Sequence, residues 1–290
     1  MATACTPGIE TGFVDLGTIQ VAVLGVVHGI TDILPISSAV HTRLVPTVFG
    51  WPAPGAAFSA ALHLGVALAI AAYLWRDVWS LGRGAWISVR DGDLRSFEFR
   101  TVVGIAIAAV PAAVLWPLVR RQLDPCGAPA REMWMIGGAS LAVAAALAVA
   151  ALARRHSRGF EEIRLRDAIV AGFAQIAALV PGVSRSGATL AAALAMNLKL
   201  GDAVRYALLV GLPAMVAIGG KALLDLRKAG IGAQGWELVA VGTFAAAVAT
   251  VFAVWTLTKV IERLSVWPFV AYRTLMGAFL LLVVWLDVLA

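Results

Sequence analysis

The sequence predicts an all-α, polytopic membrane protein. It should hold about six spanning helices plus two re-entrant helix-loop-helix hairpins arranged as inverted repeats. Three observations carry this. The 290-residue chain is 61% hydrophobic and only 14% charged, where soluble domains hold about 25% charged residues. Six apolar blocks are long enough to cross a bilayer, which takes about 20 helical residues. Two further apolar regions, 13–50 and 166–198, are broken by Pro, Gly and Ser at matching places in the two halves.

The elements follow in order. Region 13–50 is broken inside "HGITDILPISSAVH", residues 28 to 41. Pro35 lacks an N–H and crowds the preceding turn, so the first helix should end near Leu34. Ser37 or Ser38 can cap a second helix running toward Phe49. Spanning windows follow at 56–75, 100–119 and 133–153. Residues 76–90 mix Trp with Arg and read as a segment lying at headgroup level. The charged stretch 154–167 divides the chain into halves near 1–158 and 159–290. Region 166–198 is broken at "PGVSRSGAT", residues 181 to 189. Pro181-Gly182 should end one helix, and Ser184 or Ser186 can cap the next. The last spanning windows are 204–224, 236–258 and 267–289.

The net charge is +6, but the basic residues sit between the apolar blocks, with five Arg in 76–100 and five in 154–166. That is the positive-inside bias of cytoplasmic loops. No one-sided basic face exists, so nucleic acid is excluded as a partner. The first 42 residues hold no Lys or Arg. A cleaved leader needs a positive start, so this end is expected to be retained and external. Cys5 and Cys126 have no metal-site spacing and read as two unrelated thiols.

The two breaks concentrate polarity where a membrane protein can least tolerate it. Broken helices survive at membrane depth only when buried in protein or lining a wet cavity, so both should face inward. His28 and Asp32 stand four apart and share a helix face. They can hold a divalent cation or divide proton transfer. The plainer alternative has His28 bonding locally and Asp32 pairing with an Arg. Ser38 with His41 one turn on is a candidate nucleophile and base, while Ser37 serves as a cap or a phosphate donor. In the second break Arg185 sits at a helix start, where free N–H groups favour anions. Its planar fork suits phosphate oxygens. Ser184, Ser186 and Thr189 add donors, and Gly182 and Gly187 allow close backbone approach. The alternative for Arg185 is an ion pair with Asp32. Together the breaks make a pocket for a phosphorylated lipid, with its tail between helices.

These residues resemble the undecaprenyl pyrophosphate phosphatase family of the bacitracin-resistance type, over most of the chain. "GVVHGITDILPISSAVH" looks like its first motif, and "PGVSRSGAT" is similar to its second almost throughout. Weaker echoes are "FSAALHLGVALA" at 58–69, "RYALLVGLPAMVAIG" at 205–219 and "YRTLMGAFLL" at 272–281. The resemblance implies interlocked inverted repeats and removal of the terminal phosphate of undecaprenyl pyrophosphate. It places that reaction on the outer face of the bacterial cytoplasmic membrane, where it recycles the cell-wall lipid carrier. It also implies a divalent cation (Mg²⁺, Ca²⁺ or Mn²⁺), a polyprenyl pyrophosphate and membrane lipids as partners, and is compatible with a homodimer. The first motif departs from the family pattern. Two glutamates are usual where this chain has His28 and Asp32, and Val40 replaces a usual Gly. Imidazole is the softer ligand and suits Mn²⁺ or Zn²⁺ better than Mg²⁺ or Ca²⁺. The same departure leaves open a different isoprenoid pyrophosphate, or a non-catalytic lipid-phosphate carrier.

Overall fold

The computed structural model describes residues 9–122, 129–153 and 155–286. Cys5 and Cys126 lie outside the described residues. Among the described residues the protein is helical throughout, with no sheet beyond one isolated bridge between Arg158 and Leu198. The helices are α1 (Thr18–Ile33), α2 (Ser38–Phe49), α3 (Ala56–Tyr73), α4 (Trp75–Asp91), α5 (Phe97–Gln122), α6 (Pro129–Ala153), α7 (Leu165–Ala177), α8 (Arg185–Ala195), α9 (Leu200–Ala229), α10 (Gly232–Leu264) and α11 (Trp267–Trp285). Helices α3, α6, α9, α10 and α11 are long and apolar enough to cross a membrane. The window at 100–119 falls within α5. The protein is a multi-pass membrane protein, and its spanning helices lie where their apolar blocks predict them.

Both breaks are present. Helix α1 stops at Ile33, and Leu34 turns extended ahead of Pro35, as the residue before a proline must. Ser37 precedes α2 in a left-handed backbone, φ 76°, and its side chain makes no capping bond. Its expected role as a side-chain cap is therefore not realised: its backbone lies outside the extended region that capping residues adopt. In the second hairpin α7 ends at Ala177, earlier than Pro181-Gly182. Residues Ala178 to Val180 tighten into turns with bonds to the third residue back. That is how a helix unwinds before a proline, which has no N–H to donate the next bond. Ser184 then caps α8, its Oγ accepting the Gly187 N–H at 3.1 Å.

The two hairpins are seated deep in the bundle. α1 packs on α10, α7 on α5, α3 on both α9 and α10, α8 on α6, and α6 on α11. Gly25 and Gly29, one turn apart, let α1 approach α10 closely. A Cβ there would meet the Gly242 and Ala246 carbonyl oxygens at 2.3 Å. Small residues at such spacing are how helices associate in lipid, where packing replaces the hydrophobic drive. Thr250 adds a 3.2 Å bond to the Gly29 carbonyl.

Charged groups gather at one end of the molecule. Arg158 pairs with Asp167 at 2.5 Å and bonds the Met196 and Glu162 carbonyls. Pairing with Asp167 raises the Arg158 guanidinium further above its ordinary range. Nearby, Arg205 pairs with Asp77 of α4 and lies over the Phe160 ring. Trp75, Trp79 and Trp86 stand exposed on α4, consistent with a helix lying at the headgroups.

Candidate functional site

The site forms where the two breaks meet. Asp32, in the last turn of α1, is buried and uses both carboxylate oxygens. Oδ1 accepts the Ser38 hydroxyl at 3.1 Å, and Oδ2 accepts Arg185 Nη2 at 2.8 Å. Arg185 also donates to the Gly211 carbonyl at 3.1 Å. Ser186 reaches back to the Leu34 carbonyl at 3.1 Å and shares a 3.0 Å bond with Ser184. A continuous chain of hydrogen bonds therefore runs from Ser38 through Asp32 to the start of α8. Burial of an ionised pair costs several kcal/mol per ion unless charge and lone pairs are matched. Here each oxygen of Asp32 has a donor.

The remaining residues of the breaks are placed as follows. His41 sits on the first turn of α2, but its ring does not bond Ser38. Nδ1 contacts the Ser37 carbonyl at 2.8 Å and Nε2 the Tyr272 hydroxyl at 2.5 Å. Asp32, not His41, is the group beside the Ser38 hydroxyl. Thr189 donates to the Arg185 carbonyl at 2.9 Å. Gly182 (φ +91°) has the Ile136 backbone where a Cβ would stand, and Gly187 faces Val143 and the Pro35 carbonyl. Both glycines thus serve helix packing within this site.

Two groups that the sequence reading passed over complete the arrangement. His63 of α3 stands against the first break. Its ring meets that of His28 edge-on at 4.6 Å, and its Nε2 lies 3.7 Å from Asp32 Oδ1. His28, Asp32 and His63 offer ligand atoms all within 4.8 Å of one another, an arrangement compatible with a divalent cation. His28 is 1% exposed, and neither of its ring nitrogens has a protein partner. The donor set thus fits a cation. The signal for His63 was its isolation, since α3 holds no Asp, Glu, Lys or Arg and no other His. The second group is Arg273 of α11, fully buried. It donates to the Pro35 carbonyl at 3.2 Å, the Gly182 carbonyl at 3.0 Å and the Ser140 carbonyl at 3.3 Å. One guanidinium thereby satisfies carbonyls that both breaks leave without helical partners.

Comparison with known proteins places this geometry. Undecaprenyl-diphosphatase 2 of Mesorhizobium japonicum is 43% identical over 255 residues, covering 88% of this chain and 97% of the relative. Undecaprenyl-diphosphatase of Synechococcus elongatus is 36% identical over 263 residues, 90% of this chain and 91% of the relative. That of Gloeobacter violaceus is 36% identical over 266 residues, with 92% and 91% covered. The model of the family described as bacitracin resistance protein BacA matches residues 21–279, a span that holds both breaks and every residue of the site. The chain belongs to the BacA family of bacitracin resistance proteins.

Proposed function

We propose that this protein hydrolyses undecaprenyl pyrophosphate to undecaprenyl phosphate and inorganic phosphate in the bacterial cytoplasmic membrane. Its relatives of like length are named for that activity. The observation that carries the reading is the hydrogen-bonded chain Ser38–Asp32–Arg185, which joins a hydroxyl, a carboxylate and a guanidinium at two helix breaks. Those are a nucleophile, a proton acceptor and a phosphate fork within one buried cluster.

Arg185 turns its planar fork toward the phosphate oxygens and offsets the charge of the transition state. Ser38 Oγ attacks the terminal phosphorus as its proton passes to Asp32. The bridging P–O bond breaks and undecaprenyl phosphate leaves. Water then cleaves the seryl phosphate and releases inorganic phosphate. Ser184, Ser186, Thr189 and Ser37 line the breaks as further donors. His41, held by Tyr272, orders the start of α2 and takes part in the proton traffic. A divalent cation at Asp32 and His28 would draw charge from the phosphoryl oxygens when bound. The scaffold is proposed as two inverted repeats, near 1–158 and 159–290. Exchanging the halves maps the α1–α10 pairing onto α7–α5, and the α8–α6 pairing onto the His41–Tyr272 contact of α2 with α11. The absence of Lys and Arg from the first 42 residues supports a site that opens to the outer side.

The test is phosphate release by the purified protein in detergent from undecaprenyl pyrophosphate, with Arg185→Ala as control. Turnover that the control loses is expected. Release by the control at the parent's rate, or lipid binding by the parent without turnover, overturns the reading and leaves a carrier.

A further inference from the structure

Three features of the first break converge on a ligand that the hydrogen-bond network alone does not explain. His28 is buried with both ring nitrogens unpartnered, and an unsatisfied buried polar group costs about 1–3 kcal/mol. His63 Nδ1 lies 3.2 Å from the Ala60 carbonyl. A carbonyl only accepts, so Nδ1 carries a proton, and in the neutral ring Nε2 carries the lone pair. That lone pair lies 3.7 Å from Asp32 Oδ1. Two electron-rich atoms thus face each other, and an imidazole tied by its other nitrogen to a backbone carbonyl is the usual pose of a metal ligand. The third feature is spacing. The three ligand atoms lie within 4.8 Å of one another, while tetrahedral bonds of about 2.1 Å set ligand atoms about 3.4 Å apart. Small side-chain rotations close that gap.

We infer that His63 is the third ligand of a two-imidazole, one-carboxylate centre with His28 and Asp32, selective for borderline divalent ions such as Zn²⁺, Mn²⁺ or Co²⁺ over Mg²⁺ and Ca²⁺. This rests on the hydrolase reading above only for its purpose, not for its geometry. Mg²⁺ and Ca²⁺ demand oxygen ligands. Two neutral nitrogens and one carboxylate favour the borderline ions. Three protein ligands with one open position are the ligand count of catalytic zinc sites. His63 keeps 19% of its side chain exposed, so the centre is reachable from outside the protein. Asp32 spends one lone pair of Oδ1 on Ser38 and retains another for an ion.

The experiment is direct binding to the full-length protein in detergent, stripped by chelator, with no lipid substrate present. Co²⁺ is the probe because its visible absorption reports nitrogen ligation and low coordination. Micromolar Co²⁺ is expected to give these bands, and equimolar Zn²⁺ to remove them. A thousand-fold excess of Mg²⁺ or Ca²⁺ should not. His63→Ala and His63→Gln should each weaken Co²⁺ binding by on the order of 100-fold, at or above the cost of losing an outer-shell partner, with helical circular dichroism unchanged. His28→Glu should shift preference toward Mg²⁺. Bands unaltered in both His63 variants, or displaced equally by Mg²⁺, overturn the inference. Turnover supported by Mg²⁺ in a protein that binds no Co²⁺ overturns it too, while leaving the hydrolase reading standing. Selective Co²⁺ binding without phosphate release does the reverse.

Discussion

Asp32 accepts from Ser38 on one oxygen and from Arg185 on the other, and this residue-scale fact sets what substitutions should do. Arg185→Lys keeps the charge but loses the fork, which cannot then hold Asp32 and the Gly211 carbonyl together. Turnover should fall on the order of 100-fold, the cost of one transition-state donor, measured as phosphate release at saturating lipid. Ser38→Ala should abolish turnover while retaining lipid binding. A Ser38→Ala enzyme that still releases phosphate at a tenth of the parental rate would give the attack to water. Much of this was legible in the sequence. The Asp32–Arg185 pairing was one of its two stated alternatives, and both roles of Arg185 are compatible. What it could not show is that Ser38 turns to Asp32 and away from His41. Helical spacing predicts neighbours within one helix. The left-handed Ser37 and the Tyr272 hydroxyl, 231 residues beyond His41, decide where these side chains point. His63 escaped for the same reason, since nothing local ties α3 to the first break.

At the scale of elements, the breaks were readable because proline acts locally. Pro35 stops α1 at Ile33, and Pro181 unwinds α7 from Ala177. How the broken ends are held was not readable, because the carbonyls go to a distant helix. Arg273→Met should remove donors from the Pro35, Gly182 and Ser140 carbonyls at once. Ser140 lies within α6 and keeps its helical bond; at about 1–3 kcal/mol for each of the other two carbonyls left unpaired, the loss should be about 2–6 kcal/mol. It would be read by thermal unfolding in detergent, with faster amide exchange around both breaks. The α1–α10 seam gives a second element-scale prediction. Gly29→Val puts a branched Cβ against the Ala246 carbonyl. Overpacking of about 1–3 kcal/mol should lower the melting temperature by several degrees, and unchanged melting would mean that α1 can slide on α10.

For the whole molecule, charge distribution predicts an orientation that labelling can test. The Arg158–Asp167 and Arg205–Asp77 pairs and the amphipathic α4 gather at one end. The same loops hold the Arg-rich stretches that mark a cytoplasmic face. With Cys5 and Cys126 replaced by Ser, single cysteines at Asp93 and Ser157 should resist an impermeant maleimide in intact cells, while one at Gly230 should react. Labelling of Asp93 or Ser157 would reverse the orientation. The five long apolar helices were legible in hydropathy. The pairing of α1 with α10 and α5 with α7 was not, because lipid-facing and partner-facing apolar residues look alike in a sequence.

Arg273 has a consequence for how the protein is made. It stands on α11, which follows both hairpins in the chain, so translation delivers the breaks long before the group that ties their carbonyls. Until α11 arrives, the Pro35 and Gly182 carbonyls lack the donor that holds them in the finished fold. Activity should therefore appear late and abruptly on the ribosome, and a chain stopped before Arg273 should be a substrate for membrane quality-control proteases instead of a weak enzyme.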